Sequence, residues 1–172
     1  MTQDQSEELP AVFESTDVER LVDISSIRLN KFVEDNLYRL RPSIKAGKGR
    51  GSRRLFNRED VFGIALVWWL FEAGLRSNVI RVVLDEISQK KAGANQAAEM
   101  LLGKKIQVVR IQVQPRRMHR GVKMPRYLVF PITEEKSNVV RPVSIALEIP
   151  VGHLYSMLLD KMKKLTGIPE GN

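Results

Sequence analysis

The sequence predicts an α+β chain: an N-terminal helix-turn-helix with a two-stranded wing, then a small three-stranded antiparallel sheet closed by a C-terminal helix. Three observations predict it. Apolar residues recur at helical spacing as far as about residue 103 and at period two from Lys104 onward. Polar capping residues and glycines mark where the helices begin and end. Between the second and third helices lies RLRPSIKAGKGRGSRRLFNR, residues 39–58, in which Gly47, Gly49 and Gly51 form a turn between two short extended arms.

That stretch also concentrates the charge. It holds eight Lys or Arg and no Asp or Glu, and the remaining 20 basic residues of the chain are matched by 20 acidic ones. The net charge of +8 therefore originates there. Clustered Lys and Arg release condensed counterions when they meet phosphates, so a polyanion is the expected partner. A nucleotide-hydrolysing phosphate loop is not expected, because GKGRGS lacks the GxxxxGK[ST] spacing and no buried strand precedes it.

The elements follow in order. Residues 1–14 carry Asp4, Glu7, Glu8 and Glu14 without a basic residue and read as a disordered acidic tail. Thr16 to Glu19 form a capping-box pattern for a short first helix through Val22. Asp23 to Ser26 supply a turn and a second N-cap, and Ile27, Leu29, Phe32 and Val33 are the apolar positions of a second helix reaching about Asn36. In a helix-turn-helix the second helix enters the major groove with its N-terminal residues at the base edges, here Ser25, Ser26, Arg28, Asn30 and Lys31. Ser43 to Lys45 and Arg53 to Phe56 are the arms of the wing. Its cations Arg41, Lys45, Lys48, Arg50, Arg53 and Arg54 are suited to phosphates or a minor groove.

Asn57 caps the next helix, with Glu59 and Asp60 in its first turn. Apolar residues from Val61 to Phe71 cover nearly every face, which makes it the central core element, with Trp68 and Trp69 as packing residues. Gly74 ends this helix and another follows from about Ser77. Residues 15–88 thus form the expected DNA-binding domain. Residues 89–103 are either a linker or part of a dimerisation helix. Residues 104–172 form a strand-rich domain for self-association or ligand sensing. Its helix from about Val151 to Leu165 places Leu154, Leu158, Met162 and Leu165 on one side. The loop from Pro115 to Arg126 carries a second basic cluster, read as solvated.

Composition narrows the chemistry. With no cysteine, disulfides, thiolate metal sites and cysteine nucleophiles are excluded. His119 and His153 have no ligand-spaced partner, and no Ser, His and acid constellation stands out. The expectation is a binding protein rather than an enzyme, with no metal and no cofactor. The N-terminus lacks a basic and apolar leader, and the longest apolar run, 11 residues with Gly63, is well short of the roughly 20 of a membrane helix. A cytoplasmic, nucleoid-associated location without membrane contact is expected.

Residues 50–84 resemble the second half of the DNA-binding domain of the MerR family of bacterial transcription regulators. The resemblance rests on Gly51, Arg53, Arg54, Phe56, Asn57, Asp60, Gly74 and Leu75, with Ile80 and Leu84 following. Phe32 and Leu40-Arg41-Pro42 extend it into the first half, so that it covers about residues 16–87. It implies a regulator that binds operator DNA as a symmetric homodimer, joined through a helix C-terminal to the DNA-binding domain and coupled to a small effector. Metal-sensing members use cysteines, and this chain has none. An architectural or excisionase-type DNA-binding protein, and an RNA-binding or nucleoprotein-assembly factor, stand as alternatives.

Overall fold

In the computed structural model the described residues are 12–34, 38–40, 44–45, 54–89, 93–114, 126–132 and 145–166, with backbone alone at 44–45, 113–114, 126–132, 145–146 and 166. The chain is α+β, mixed helical with small antiparallel sheets.

Strand β1 (Phe13–Glu14) runs directly into helix α1 (Ser15–Val22). This corrects the reading of residues 1–14 as a tail throughout. The Phe13 side chain is buried in the core, and β1 pairs antiparallel with β3 through Phe13 and Phe56. Burial of one aromatic ring outweighs the acidic composition around it. The cap of α1 is also shifted from Thr16 to Glu14, whose N–H donates to Asp17 Oδ2 at 2.9 Å. At the other end Asp23 takes a left-handed conformation (φ 58) and the Ile24 N–H reaches back to the Glu19 carbonyl, burying Ile24. Asp tolerates that conformation better than most side chains, so a tight turn forms without glycine.

Helix α2 (Ser26–Glu34) follows, with the Ser25 hydroxyl accepting the Arg28 N–H at 3.4 Å. It buries Leu29 and Phe32. Ile27, expected among its apolar core positions, is instead 81 % exposed. At about 100° per residue it lies about 160° round the axis from Leu29, on the opposite face.

Strands β2 (Ile44–Lys45) and β3 (Arg54–Phe56) form an antiparallel ribbon in the register Ile44 to Leu55 and Lys45 to Arg54, with β3 between β1 and β2. The expected glycine turn at 46–53 lies outside the described residues. Helix α3 (Arg58–Glu72) starts at a reciprocal cap: the Asp60 N–H donates to Asn57 Oδ1 at 2.7 Å and the Asn57 N–H to Asp60 Oδ2 at 3.0 Å. It buries every residue from Asp60 to Val67, as its nearly continuous apolar pattern requires. Trp68 and Trp69 pack against the core edge, Trp69 beside Phe62 and Trp68 beside Phe32.

Helices α4 (Ser77–Ser88) and α5 (Ala94–Gly103) are separate. The face of α5 made by Ala94, Ala97, Ala98 and Leu101 is buried, and α5 packs closely on α3 where Gly63 leaves room for Ala94 and Asn95. The Asn95 amide donates to Asp60 Oδ1, tying α5 to the cap of α3. The stretch read as a linker or dimer seam therefore spends this apolar face inside the chain.

Strand β4 (Val108–Gln114) is central in the second sheet, pairing antiparallel with β5 (Arg126–Ile132) and β6 (Ile145–Ile149). Val109 and Ile111 point into the core as the alternation predicts, while Gln112 is buried as well. Helix α6 (Val151–Thr166) buries Val151, Leu158 and Met162 and leaves Leu165 exposed. It packs on α1 and α3: Lys161 donates to the Leu21 carbonyl at 3.1 Å, and the Tyr155 ring lies 4.7 Å from that of Phe62. Burial raises the pKa of the Tyr155 phenol, against a lowering by Arg58 and with a smaller rise from Glu59. Buried side chains from β1 to α6 form one contiguous cluster. The sheet and α6 thus share a core with the helices before them.

Candidate nucleic-acid interface

Helix α2 has two faces of different character. Leu29, Phe32 and Val33 fasten it to the core, whereas Ile27, Asn30, Lys31 and Glu34 recur at the i, i+3, i+4, i+7 spacing and are all exposed. Ser26, in the first turn, is exposed too. The inner face is held by a cluster of rings. Phe32 packs edge-on to Tyr38 at 5.3 Å and lies 6.3 Å from both Trp68 and Phe71.

Arg28 stands at the boundary between the faces. Its guanidinium carbon lies 4.6 Å from the centroid of Phe71 and 5.3 Å from that of Trp68, two rings stacked within 8° of parallel. Such contact attracts the cation to the ring faces and limits its reach. Ile27, Arg28 and Lys31 line a groove of about 430 Å³ together with Ser25, Phe71 and Ser77, so α2 and the start of α4 share one surface.

Arg54 links the ribbon to this helix. One guanidinium nitrogen donates to Asn30 Oδ1 at 2.8 Å and the other to Glu34 Oε1 at 2.9 Å. Two carriers on successive turns of α2 thereby grip one side chain of β3, fixing the ribbon against the exposed face of the helix. Glu34 was not among the residues read as functional. Nothing local marks it, since its partner is 20 positions away.

The expected site residues are thus distributed as follows. Ser25, Ser26, Arg28, Asn30 and Lys31 gather at the outer face and N-terminal end of α2, with the Ser25 hydroxyl engaged in capping. Arg54 is brought against them, and Lys45 lies opposite Arg54 in the ribbon. Arg41, Lys48, Arg50 and Arg53 lie outside the described residues, as does most of the second basic cluster, 115–125.

The geometry of Arg54 yields a measurable distinction. Arg54→Ala should cost about 0.5–1 kcal/mol in urea unfolding, the range of a partly exposed ion pair. Any polyanion bound by the protein should retain its salt dependence in this variant; a flattened dependence would assign Arg54 to phosphate instead of to the helix. Among the described residues no helix is long and apolar enough to cross a membrane. No protein-family model matches the chain, and no curated protein matches it in sequence.

Proposed function

We propose that the protein is a sequence-dependent regulator of transcription that binds double-stranded DNA through a winged helix-turn-helix. Helices α1 and α2 are the helix-turn-helix, α2 lies in the major groove, and the β2–β3 ribbon is the wing on phosphates or the adjacent minor groove. The observation that carries this reading is the clamp of Arg54 on Asn30 and Glu34. It joins the exposed face of α2 to the strand that leaves the basic stretch 39–58, so a helix with polar side chains and a cationic ribbon present a single surface. Base-edge contact needs the first, and phosphate neutralisation needs the second.

In this reading Ser26, Asn30 and Lys31 face bases, and Arg28 lies at the groove wall. Lys45, Lys48, Arg50, Arg53 and Arg41 hold the backbone. The MerR resemblance adds a homodimer on two symmetric half-sites and a small effector acting through the remainder of the chain.

Selection of bound fragments from random duplex DNA tests the proposal. The expected result is one enriched motif with two half-sites related by symmetry. Absence of any enriched sequence, or displacement of duplex DNA by RNA at equal concentration, would overturn it.

A further inference from the structure

We infer that Ile27 and Asn30 together select thymine, Ile27 by covering the C5-methyl group and Asn30 by donating to O4. The inference rests on the DNA-binding reading above and names the base feature that reading leaves open.

Two observations lead to it. Ile27 is a large aliphatic side chain in the first turn of α2, on the rim of the groove that Arg28 and Lys31 line, with 81 % of its surface exposed. Little of it is buried by folding, and the exposed residues beside it on α2 are polar: Ser26, Asn30, Lys31 and Glu34. One turn on, the orientation of Asn30 is fixed by chemistry. A guanidinium only donates, so the amide atom facing Arg54 must be the oxygen, as the 2.8 Å contact has it. The remaining group of that amide, Nδ2, can only donate.

An asparagine free to present both ends would pair with adenine at N6 and N7. With one lone pair of its oxygen taken by Arg54, the group Asn30 has left unengaged is Nδ2–H, which needs an acceptor. In the major groove guanine offers O6 and N7, adenine N7, and thymine O4. Ile27 decides between them, because thymine alone sets an apolar methyl beside its acceptor. Residues i and i+3 of a helix have neighbouring side chains, so one base can meet both. Arg54 is then a positioning residue: by holding the Asn30 oxygen it fixes which end of the amide is oxygen and which is Nδ2–H.

The test uses the full chain and the half-site found by selection. Each thymine is replaced in turn by uracil, which lacks only the methyl, and by 5-methylcytosine paired with guanine, which keeps the methyl but turns the acceptor at C4 into a donor. At one thymine per half-site, uracil should weaken binding roughly fourfold, the value of one methyl-sized apolar group, and Ile27→Ala should abolish that difference. At the same thymine 5-methylcytosine should weaken binding about tenfold, and Asn30→Ala should abolish this second difference while leaving the first. The exposure of Ile27 leaves the unfolding temperature of Ile27→Ala unchanged, so a lost uracil effect is not misfolding.

Uracil tolerated at every position, or an uracil effect that persists in Ile27→Ala, would overturn the inference while leaving DNA binding intact. Conversion of a dimer to monomers by Ile27→Ala would also overturn it, by assigning Ile27 to a contact between copies. Failure to select any DNA sequence would remove the DNA reading itself, and this inference with it.

Discussion

Raising the salt concentration from 50 to 200 mM should weaken binding of the protein to its selected duplex by about 10⁴- to 10⁶-fold. The basic stretch 39–58 carries eight cations and no acid, and a subunit that seats about four to six phosphates makes about eight to twelve contacts as a dimer. Each contact contributes about −0.9 to the slope of log affinity against log salt, giving a slope of about −7 to −11. Replacing Lys48, Arg50 and Arg53 together by alanine should flatten the dimer's slope by about 5, and should weaken selected and unrelated duplexes alike, because phosphate contacts carry no sequence information. Fluorescence anisotropy titrations at several salt concentrations measure this directly. A wild-type slope shallower than about −3 would leave no place for a phosphate-gripping wing. Loss of sequence preference at an unchanged slope would move these cations from the backbone to the bases.

The second large effect concerns stability. Gly93→Ala should destabilise the fold by about 3 kcal/mol, and a chain of this size should then melt about 6–12 °C lower. Two costs coincide at this position. The backbone of Gly93 has φ 93 and ψ −171, a region essentially closed to residues with a Cβ. A Cβ built there would also lie 2.5 Å from that of Arg39 and 2.8 Å from the Tyr38 carbonyl oxygen.

That carbonyl accepts the N–H of Ala94 at 3.0 Å, so the start of α5 pins the segment that leaves α2 toward the ribbon. Tyr38 and Leu40 are buried in the same place. The damage should therefore reach function, loosening the ribbon relative to the helix. Differential scanning calorimetry gives the stability change; a loss below about 1 kcal/mol would mean that the close approach does not persist in solution.

Much of this architecture was legible in single stretches of sequence. Asn57 and Asp60 announce the start of α3 because both capping partners lie within one turn, and Gly74 announces its end for the same reason. The alternation of Val109 and Ile111 announces β4. Its strand partners, in contrast, are set by pairing across the sheet. Phe13 was misread because the acids around it dominate local composition, while its burial depends on Phe56, 43 positions later in the chain. The division near residue 104 marks a true change of period but no break in the core, which runs from Phe13 to Met162.

The sequence alone determined the class of the fold, the ends of most helices and where the excess positive charge resides. Those properties follow from caps, turns and periodicities that act over a few residues. Only the tertiary structure decided that Ile27 faces outward, that Arg28 rests on Phe71 and Trp68, and that Arg54 holds Asn30 by its oxygen. Each of these follows from how an element is rotated or seated against parts of the chain distant in sequence, and a helix's own periodicity leaves that choice open until packing fixes it.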